Sequence, residues 1–310
     1  MADPMRGLYA LPPGVNFADE FVRGLLDRMK DHPPEALARV TVLVNASQTM
    51  GEIRRAFDRA GPLLLPKLQT ITSVDPGPVI MPNPPESPLA RRLQLAQLID
   101  RMVKLRPDLG AGHSIPVLAQ SLSKLMIEMQ TEGRQIEALE RIDTGDHARH
   151  WQNALAFLRI AASFHLDEPW RDRSARHRIA AETAVADWSQ GLNLPDGPVI
   201  VAGSTGSHGA TRLYMQAVAA LPQGAVVLPG FDFDQPQSVW DNLGDAADDH
   251  PQSRFAPLIR DAGYPARWTD AQPSSPARNK LMSLALRPAP VTDQWIAEGP
   301  DLPDLIPATE

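Results

Sequence analysis

Two stretches of the sequence hold the residue types that cradle phosphates. Gly203 to Thr211 reads GSTGSHGAT and directly follows the apolar run PVIVAG (Pro198 to Gly203). A strand, a glycine-rich loop and a helix start offer loop amides and a helix N-terminus to an anion. ATP hydrolysis by such a loop needs G-x-x-x-x-G-K-[ST], with a lysine reaching the β and γ phosphates, and this loop has no lysine. Gly203, Gly206 and Gly209 also miss the dinucleotide spacing G-x-G-x-x-G. Asp232 nevertheless follows the next apolar run, where a ribose-binding acid would stand, so a dinucleotide-binding, Rossmann-like enzyme using Gly203 and Gly206 is the second reading. The other stretch is YALPPGVNFADEF (Tyr9 to Phe21), which has one glycine, Gly14, and neither lysine nor hydroxyl where phosphates would need them. Gly14, Gly203, Thr205 and Gly206 are therefore candidate nucleotide-binding positions of a degenerate kind, with no catalytic residue among them.

Other chemistry is thinly represented. His147 and His150, with Asp143 and Asp146, have donors that suit a metal, but the same spacing arises at an Asp-capped, solvated helix start. The run DAADDH (Asp245 to His250) reads as an acidic surface loop. Arg54 and Arg55, Arg91 and Arg92, and four arginines in WRDRSARHR (Trp170 to Arg178) supply cations for phosphate contact, though the last four fall on two helix sides rather than one stripe. Arg91, Arg92 and Arg287 are the residues selected for contact with a DNA backbone. No G-x-S-x-G elbow and no convincing carboxylate pair is present. With no cysteine among 310 residues, a disulfide framework, thiolate zinc and an iron–sulfur cluster are excluded within this chain. The net charge of −7 excludes a global positive field, so any nucleic-acid contact must be local. No 18-residue apolar run suggests a membrane span, and the expectation is a cytoplasmic protein with no metal and no membrane partner.

The elements that must position these residues follow an interrupted α/β pattern. Gly7 to Leu11 is a strand candidate ended by Pro12, Pro13 and Gly14. Phe17, Phe21, Leu25 and Met29 share one helical face. Val40 to Asn45 is a second strand, Ser47 an N-cap for a helix carrying Met50, Ile53, Arg54 and Phe57, and Leu63 to Val74 is strand-like again. Six prolines between Pro76 and Pro88 mark a segment boundary. Three helical stripes follow: Leu89, Leu93, Ala96, Ile99 and Val103; Leu118, Leu122, Leu125 and Met129; and Trp151, Leu155, Leu158 and Ala162. The α/β pattern returns with Pro198 to Gly203, a helix stripe through Leu213, Tyr214, Ala217, Val218 and Leu221, and the strand Ala225 to Gly230. Asp232 to Pro276 reads as polar and turn-rich, with too few units after Gly230 to finish a dinucleotide domain, and Asn279 to Pro288 as a short helix. The expected architecture is α/β, a parallel sheet with a large all-helical insertion: residues 1–85 the first part, 86–195 the insertion and 196–310 the return.

Six segments carry a resemblance beyond this reading. They are LARRLQLAQLI (Leu89 to Ile99), DHARHWQNALAFLRI (Asp146 to Ile160), VIVAGSTGSHGAT (Val199 to Thr211), GAVVLPGFDFD (Gly224 to Asp234), DHPQSRFAPLI (Asp249 to Ile259) and LALRPAPVTDQW (Leu284 to Trp295). In this order they resemble the N-terminal part of the AddB family, proteobacterial type. AddB is one subunit of the bacterial AddAB helicase-nuclease that processes double-strand DNA breaks for homologous recombination.

The resemblance implies a RecA-like, superfamily-one helicase-type domain with a helical insertion. It sets Tyr9 to Phe21 where the ATP loop would be and Val199 to Gly203 near the metal-coordinating strand end. VIVAG ends in Gly203 where an active motor carries an Asp-Glu pair, so the implied module does not hydrolyse nucleotide. The implied partners are AddA, which supplies the motor, and single-stranded or forked duplex DNA, with a link to Chi recognition. The family's iron–sulfur cluster and magnesium belong to a C-terminal nuclease domain that has no counterpart in these 310 residues, and the expectation is a fragment.

Overall fold

Short apolar runs become the strands of one sheet, and the helices that follow them bury one face each. The computed structural model describes residues 5–73, 85–105, 107, 114–134, 159, 172–243, 250–288 and 291–302. Contacts divide the chain into two compact units, one of Met1–Val74, Asp187–Ser207 and Thr211–Glu310, the other of Asp75–Ala186 with His208–Ala210.

The first unit holds strands β1 (Gly7–Ala10), β2 (Thr41–Val44), β3 (Lys67–Thr70), β4 (Val199–Ala202), β5 (Gly224–Leu228) and β6 (Ala266–Arg267). They form one six-stranded sheet in the order β3-β2-β4-β5-β1-β6, and every pairing is parallel. The fold is α/β with an all-parallel sheet. Helix α1 (Phe17–Met29) leads from β1 to β2, and α2 (Ser47–Ala60) from β2 to β3. Their buried residues, Phe21, Leu25, Ile53 and Phe57 among them, pack with Tyr9, Val42, Val44, Ile200, Ala202, Ala225 and Val227. The alternate residues Leu8, Leu43, Val201, Val226 and Leu228 are also buried, so the period of two gives the sheet a second apolar face. Right-handed crossovers set α1, which moves toward β2, on the face opposite the β4-to-β5 connection, which moves the other way.

Several expectations change. The Leu63 to Val74 strand shrinks to Lys67–Thr70, and Leu63, Leu64 and Leu65 are exposed rather than paired. Ser47 is the first helical residue, preceded by Ala46 at the cap with no side-chain cap bond, whereas Asn16 caps α1 by accepting the Asp19 amide at 3.3 Å. The segment after Gly230 is not merely turns. After α5 (Arg173–Ser189) and α6 (Gly209–Ala220), it contains α7 (Gln237–Asn242), α8 (Ala256–Ala262) and β6, then α9 (Pro276–Ala285) and α10 (Gln294–Glu298).

β6 has two residues, both exposed, yet the next residue, Trp268, is 2% exposed and fastens the sheet edge. Its backbone amide donates to Ala10 O and its indole Nε1 donates to Phe21 O, both at 3.0 Å. The ring stacks on Phe21 and meets Tyr9 edge-on, with centroids 5.8 and 5.2 Å apart. Arg28 lays its guanidinium 3.8 Å from the Trp268 ring centroid and donates from Nη1 to Trp268 O at 2.8 Å. α1 approaches so closely that a Cβ at Gly24 would lie 2.4 Å from Trp268 Nε1.

The second unit contains α3 (Pro88–Leu105), α4 (Ile115–Glu132) and α5 (Arg173–Ser189), the last running on into Asp187 of the first unit. No strand falls between β3 and β4 among the described residues. The buried stripe of α3 is Leu95, Ile99 and Met102, turned from the expected one, and Leu89 and Leu93 are 61% and 56% exposed. On α4 the buried residues are Ala119, Leu122 and Met126. The stripe through Trp151, Leu155, Leu158 and Ala162 lies outside the described residues.

Removal of the Trp268 side chain leaves a cavity against Tyr9, Phe21 and Arg28, so Trp268→Ala lowers the unfolding free energy by about 3–5 kcal/mol in urea denaturation. Gly24→Ala, which pushes a methyl into the same ring, costs about 1–3 kcal/mol. Wild-type midpoints for both variants would refute this account of the sheet edge.

Candidate functional site

In parallel α/β sheets ligands bind outside the carboxyl ends of the strands. β1, β4 and β5 end there side by side, with β5 between the other two. The loops carrying Gly14 and Gly203 to Gly206 therefore open on the same edge, and helix α6 (Gly209–Ala220) starts just after the second. Gly14, Gly203 and Gly206 have φ of +83°, +74° and +66°, values that favour glycine and make tight exits from β1 and β4.

Side chains of the protein fill this edge. Phe17, at the start of α1, lies against Gly203: a Cβ there would be 3.1 Å from Phe17 Cε1 and 3.4 Å from Thr49 Cγ2. The first turn of α1 carries Asp19 and Glu20, whose charges complement the helix dipole and oppose an approaching phosphate. Asp19 pairs with Arg59, and Glu20 pairs with Arg23 at 2.7 Å while accepting from Thr269 Oγ1 at 2.8 Å. The Gly14 turn is covered by Pro273 and Asn279, whose Nδ2 donates to Pro13 O at 2.7 Å. In the glycine loop after β4, Ser204 Oγ accepts the Gly206 amide at 3.3 Å, Thr205 is half-buried, and a Cβ at Gly206 would touch Leu258 and Met215. Within the second unit, Glu132 Oε1 accepts the Gly209 amide at 2.8 Å, so a carboxylate of the chain itself holds that donor.

Asp232 is engaged as well. Its Oδ1 accepts the Asp234 amide at 3.0 Å. Burial pushes the Asp232 carboxyl above the usual aspartate range, against the opposing pull of Ser283, Asp234 and Arg287. One Asp232 oxygen is thus taken by the chain's own backbone. Gln252 fastens the same loop, donating from Nε2 to Gly230 O at 2.8 Å and accepting the Asp232 amide at 3.1 Å.

The three selected arginines differ. The Arg287 side chain is 1% exposed. It donates from Nη1 to Ser283 Oγ at 2.9 Å and lies 3.9 Å from Glu298 Oε1, so this guanidinium is spent inside the fold and not presented to a DNA backbone. Arg91 pairs with Asp172 at 3.1 Å with both side chains nearly covered, and Asp172 also caps α5 by accepting the Ser174 and Ala175 amides. Arg92 alone is exposed. The expected metal set Asp143, Asp146, His147 and His150 lies outside the described residues, among which no group of three or more His, Asp or Glu is placed to hold a metal ion. No helix among the described residues is long and apolar enough to cross a membrane. A cavity of about 230 Å³, lined by Leu194, Pro195, Asp196, Leu221 and Pro222 among others, lies at the amino-terminal ends of β4 and β5, away from every predicted site residue.

Because its folded-state pKa is raised, Asp232 holds its proton more tightly in the folded chain than in the unfolded one. Its contribution to stability is present below the ordinary aspartate pKa and is lost as pH rises through the raised value. Unfolding free energies of wild type and Asp232→Asn, measured across that window, should shift in favour of the variant with rising pH, and a constant difference would contradict the burial of this carboxyl. In comparisons with known proteins, no family model matches the chain and no curated protein matches it.

Proposed function

We propose that this chain is a non-catalytic, helicase-like DNA-binding and scaffold module of the AddB type. In this reading it acts in the cytoplasm in double-strand break repair by homologous recombination, beside an AddA motor subunit. Its ligand is single-stranded or forked duplex DNA, with Chi recognition as the associated task. The six ordered segments that resemble AddB support the reading, and so does an all-parallel sheet whose β1 and β4 loops open on one edge.

The observation that carries the non-catalytic part is the filling of that edge. Phosphoryl transfer needs a phosphate-binding loop, a lysine or its equivalent, and carboxylates holding magnesium. Here Phe17 lies on Gly203, Asp19 and Glu20 sit on the first turn of α1, and Pro273 with Asn279 covers Gly14. An iron–sulfur cluster has no cysteine ligand in this sequence, and β4 ends at Ala202, followed by Gly203, without a carboxylate for magnesium. Arg92, exposed on α3, is the backbone contact retained from the sequence reading.

Fluorescence anisotropy of a labelled forked duplex, titrated at several salt concentrations, tests the reading. Affinity should fall log-linearly with salt, and Arg92→Ala should weaken binding uniformly and lower the slope by about one. ATP turnover should be absent with or without single-stranded DNA. Absence of binding at low salt would overturn the DNA-binding part, and sustained hydrolysis would overturn the non-catalytic part.

A further inference from the structure

At the amino-terminal ends of β4 and β5, away from the candidate site, a cavity of about 230 Å³ opens in the first unit. One wall is the loop before β4, with Leu194, Pro195 and Asp196; the other is Leu221, Pro222 and Gln223, the turn between α6 and β5. Its size sets what it can hold. Pockets that enclose a whole small-molecule ligand run to roughly 300–1,000 Å³, whereas a benzene-sized group fits in roughly 150 Å³. This cavity lies between the two and suits a single side chain.

The chain fixes the loop wall in place. Asn193, at φ +48°, is the one non-glycine residue with positive φ among the described residues. Asparagine visits that conformation more readily than most residues, and three hydrogen bonds hold the turn. The Trp188 indole Nε1 donates to Asn193 O at 3.1 Å, Asn193 Nδ2 donates to Asp187 Oδ2 at 2.8 Å, and the Leu192 amide donates to Asp187 O at 2.8 Å. So held, the loop leaves Leu192 and Leu194 53% and 45% exposed, with apolar area still to be buried.

The charge around the cavity has one sign. Asp196 is exposed and has no ion-pair partner among the described residues. Leu221 and Pro222 follow α6 directly, so the cavity also lies at the negative end of that helix dipole, and no basic residue occupies the helix's last turn. No lysine or arginine occurs from Ile179 to Thr211 or from Leu213 to Ser253, the stretches that supply both walls. Arg39 approaches through its backbone, its carbonyl oxygen 2.6 Å from where a Cβ on Gly197 would stand, and does not pair with Asp196. A carboxylate, a helix carboxyl end and apolar walls suit a cation carried on an apolar stem. Guanidinium suits them better than ammonium, because its weakly hydrated plane packs on apolar surface while its fork meets both carboxylate oxygens.

We propose that this cavity is a socket for an arginine side chain of a partner polypeptide. Asp196 takes the guanidinium, and Leu194 with Leu221 packs against the stem. The socket does not rest on the DNA-binding reading, none of whose residues lines the cavity.

The test titrates the isotope-labelled full chain with acetyl-arginine amide and with its neutral, nearly isosteric citrulline analogue, following the amides of Gly197, Gln223 and Gly224 by NMR. Arginine should give saturable shifts at these amides and their neighbours, with an affinity about two- to fivefold above that of citrulline, the range of an exposed ion pair. Asp196→Asn should bring arginine down to the citrulline level and leave citrulline unchanged, while Leu194→Ser should weaken both probes. Both side chains are exposed, so neither substitution removes core packing, and unchanged shifts far from the cavity verify the fold. Free arginine, which carries both backbone charges, should bind no more tightly than the blocked probe. No saturable shift at the solubility limit of the arginine probe, equal affinities for arginine and citrulline, or wild-type binding by Asp196→Asn would overturn the socket. Tighter binding of free arginine would overturn the polypeptide partner in favour of the free amino acid.

Discussion

The packing of Trp268 between β1 and α1 is the constraint on which the carboxyl edge depends. β6 contributes only two paired residues, too few to hold a sheet edge by ladder bonds alone. The indole supplies the rest. Its Nε1 is satisfied by Phe21 O, its face is covered by the Arg28 guanidinium, and its edge meets Tyr9. A buried cation would be costly by itself, but Arg28 is half in aromatic surroundings and donates to two carbonyls, Gly24 O and Trp268 O. With α1 fixed against Trp268, its first turn has one place to go. Phe17 then lies on Gly203, and Asp19 and Glu20 place negative charge on the first turn of α1, which opposes an anion there.

The charges at that end are balanced locally. Glu20 shares Arg23 with Asp270 and takes the Thr269 hydroxyl, so the segment leaving β6 is tied to the first turns of α1. A second polar cluster, Arg287 with Ser283 and the Asp234 carbonyl, ties the end of α9 to the segment leaving β5. Surface pairs such as Arg23–Asp270 contribute little to stability, whereas the nearly enclosed Arg91–Asp172 pair of the second unit depends on both partners being present. The two clusters at the sheet edge are better understood as fixing loop geometry than as holding the fold together.

The central strands were legible because their apolar runs have few alternatives. Leu43, Ile200 and Val226 are buried, and runs such as VIVA and GAVVL have no polar side to turn outward. α1 was legible from Phe21, Leu25 and Met29 at helical spacing. β6 was not, because Ala266 and Arg267 are both exposed and its decisive residue comes one position after the strand. The α3 stripe was misplaced because leucines occur all round that helix, and periodicity cannot tell Leu93 from Leu95 when both are apolar. At the candidate site the missing lysine was visible in the sequence. What fills the edge was not, because Phe17, Pro273 and Asn279 converge from segments more than two hundred residues apart, and no local pattern records that meeting. Arg287 shows the same limit: an arginine after a helix reads as surface until tertiary contacts enclose it.

The strand order also governs how the sheet can be assembled. β1 finds its neighbours only in β5 and β6, with Gly7 in register with Ala225 and Tyr9 with Ala266. β2, by contrast, has β3 close by in the sequence. On a ribosome that adds about 5–20 residues per second, β1 and α1 must wait on the order of ten seconds or longer before β5 exists to pair with. During that interval the apolar faces of Leu8 and Phe21 have no sheet to cover them, and such long-range parallel pairing is intrinsically slow once it becomes possible. The strand that anchors the candidate site is therefore made early and secured late, which marks the nascent chain, rather than the finished fold, as the stage most exposed to misassembly.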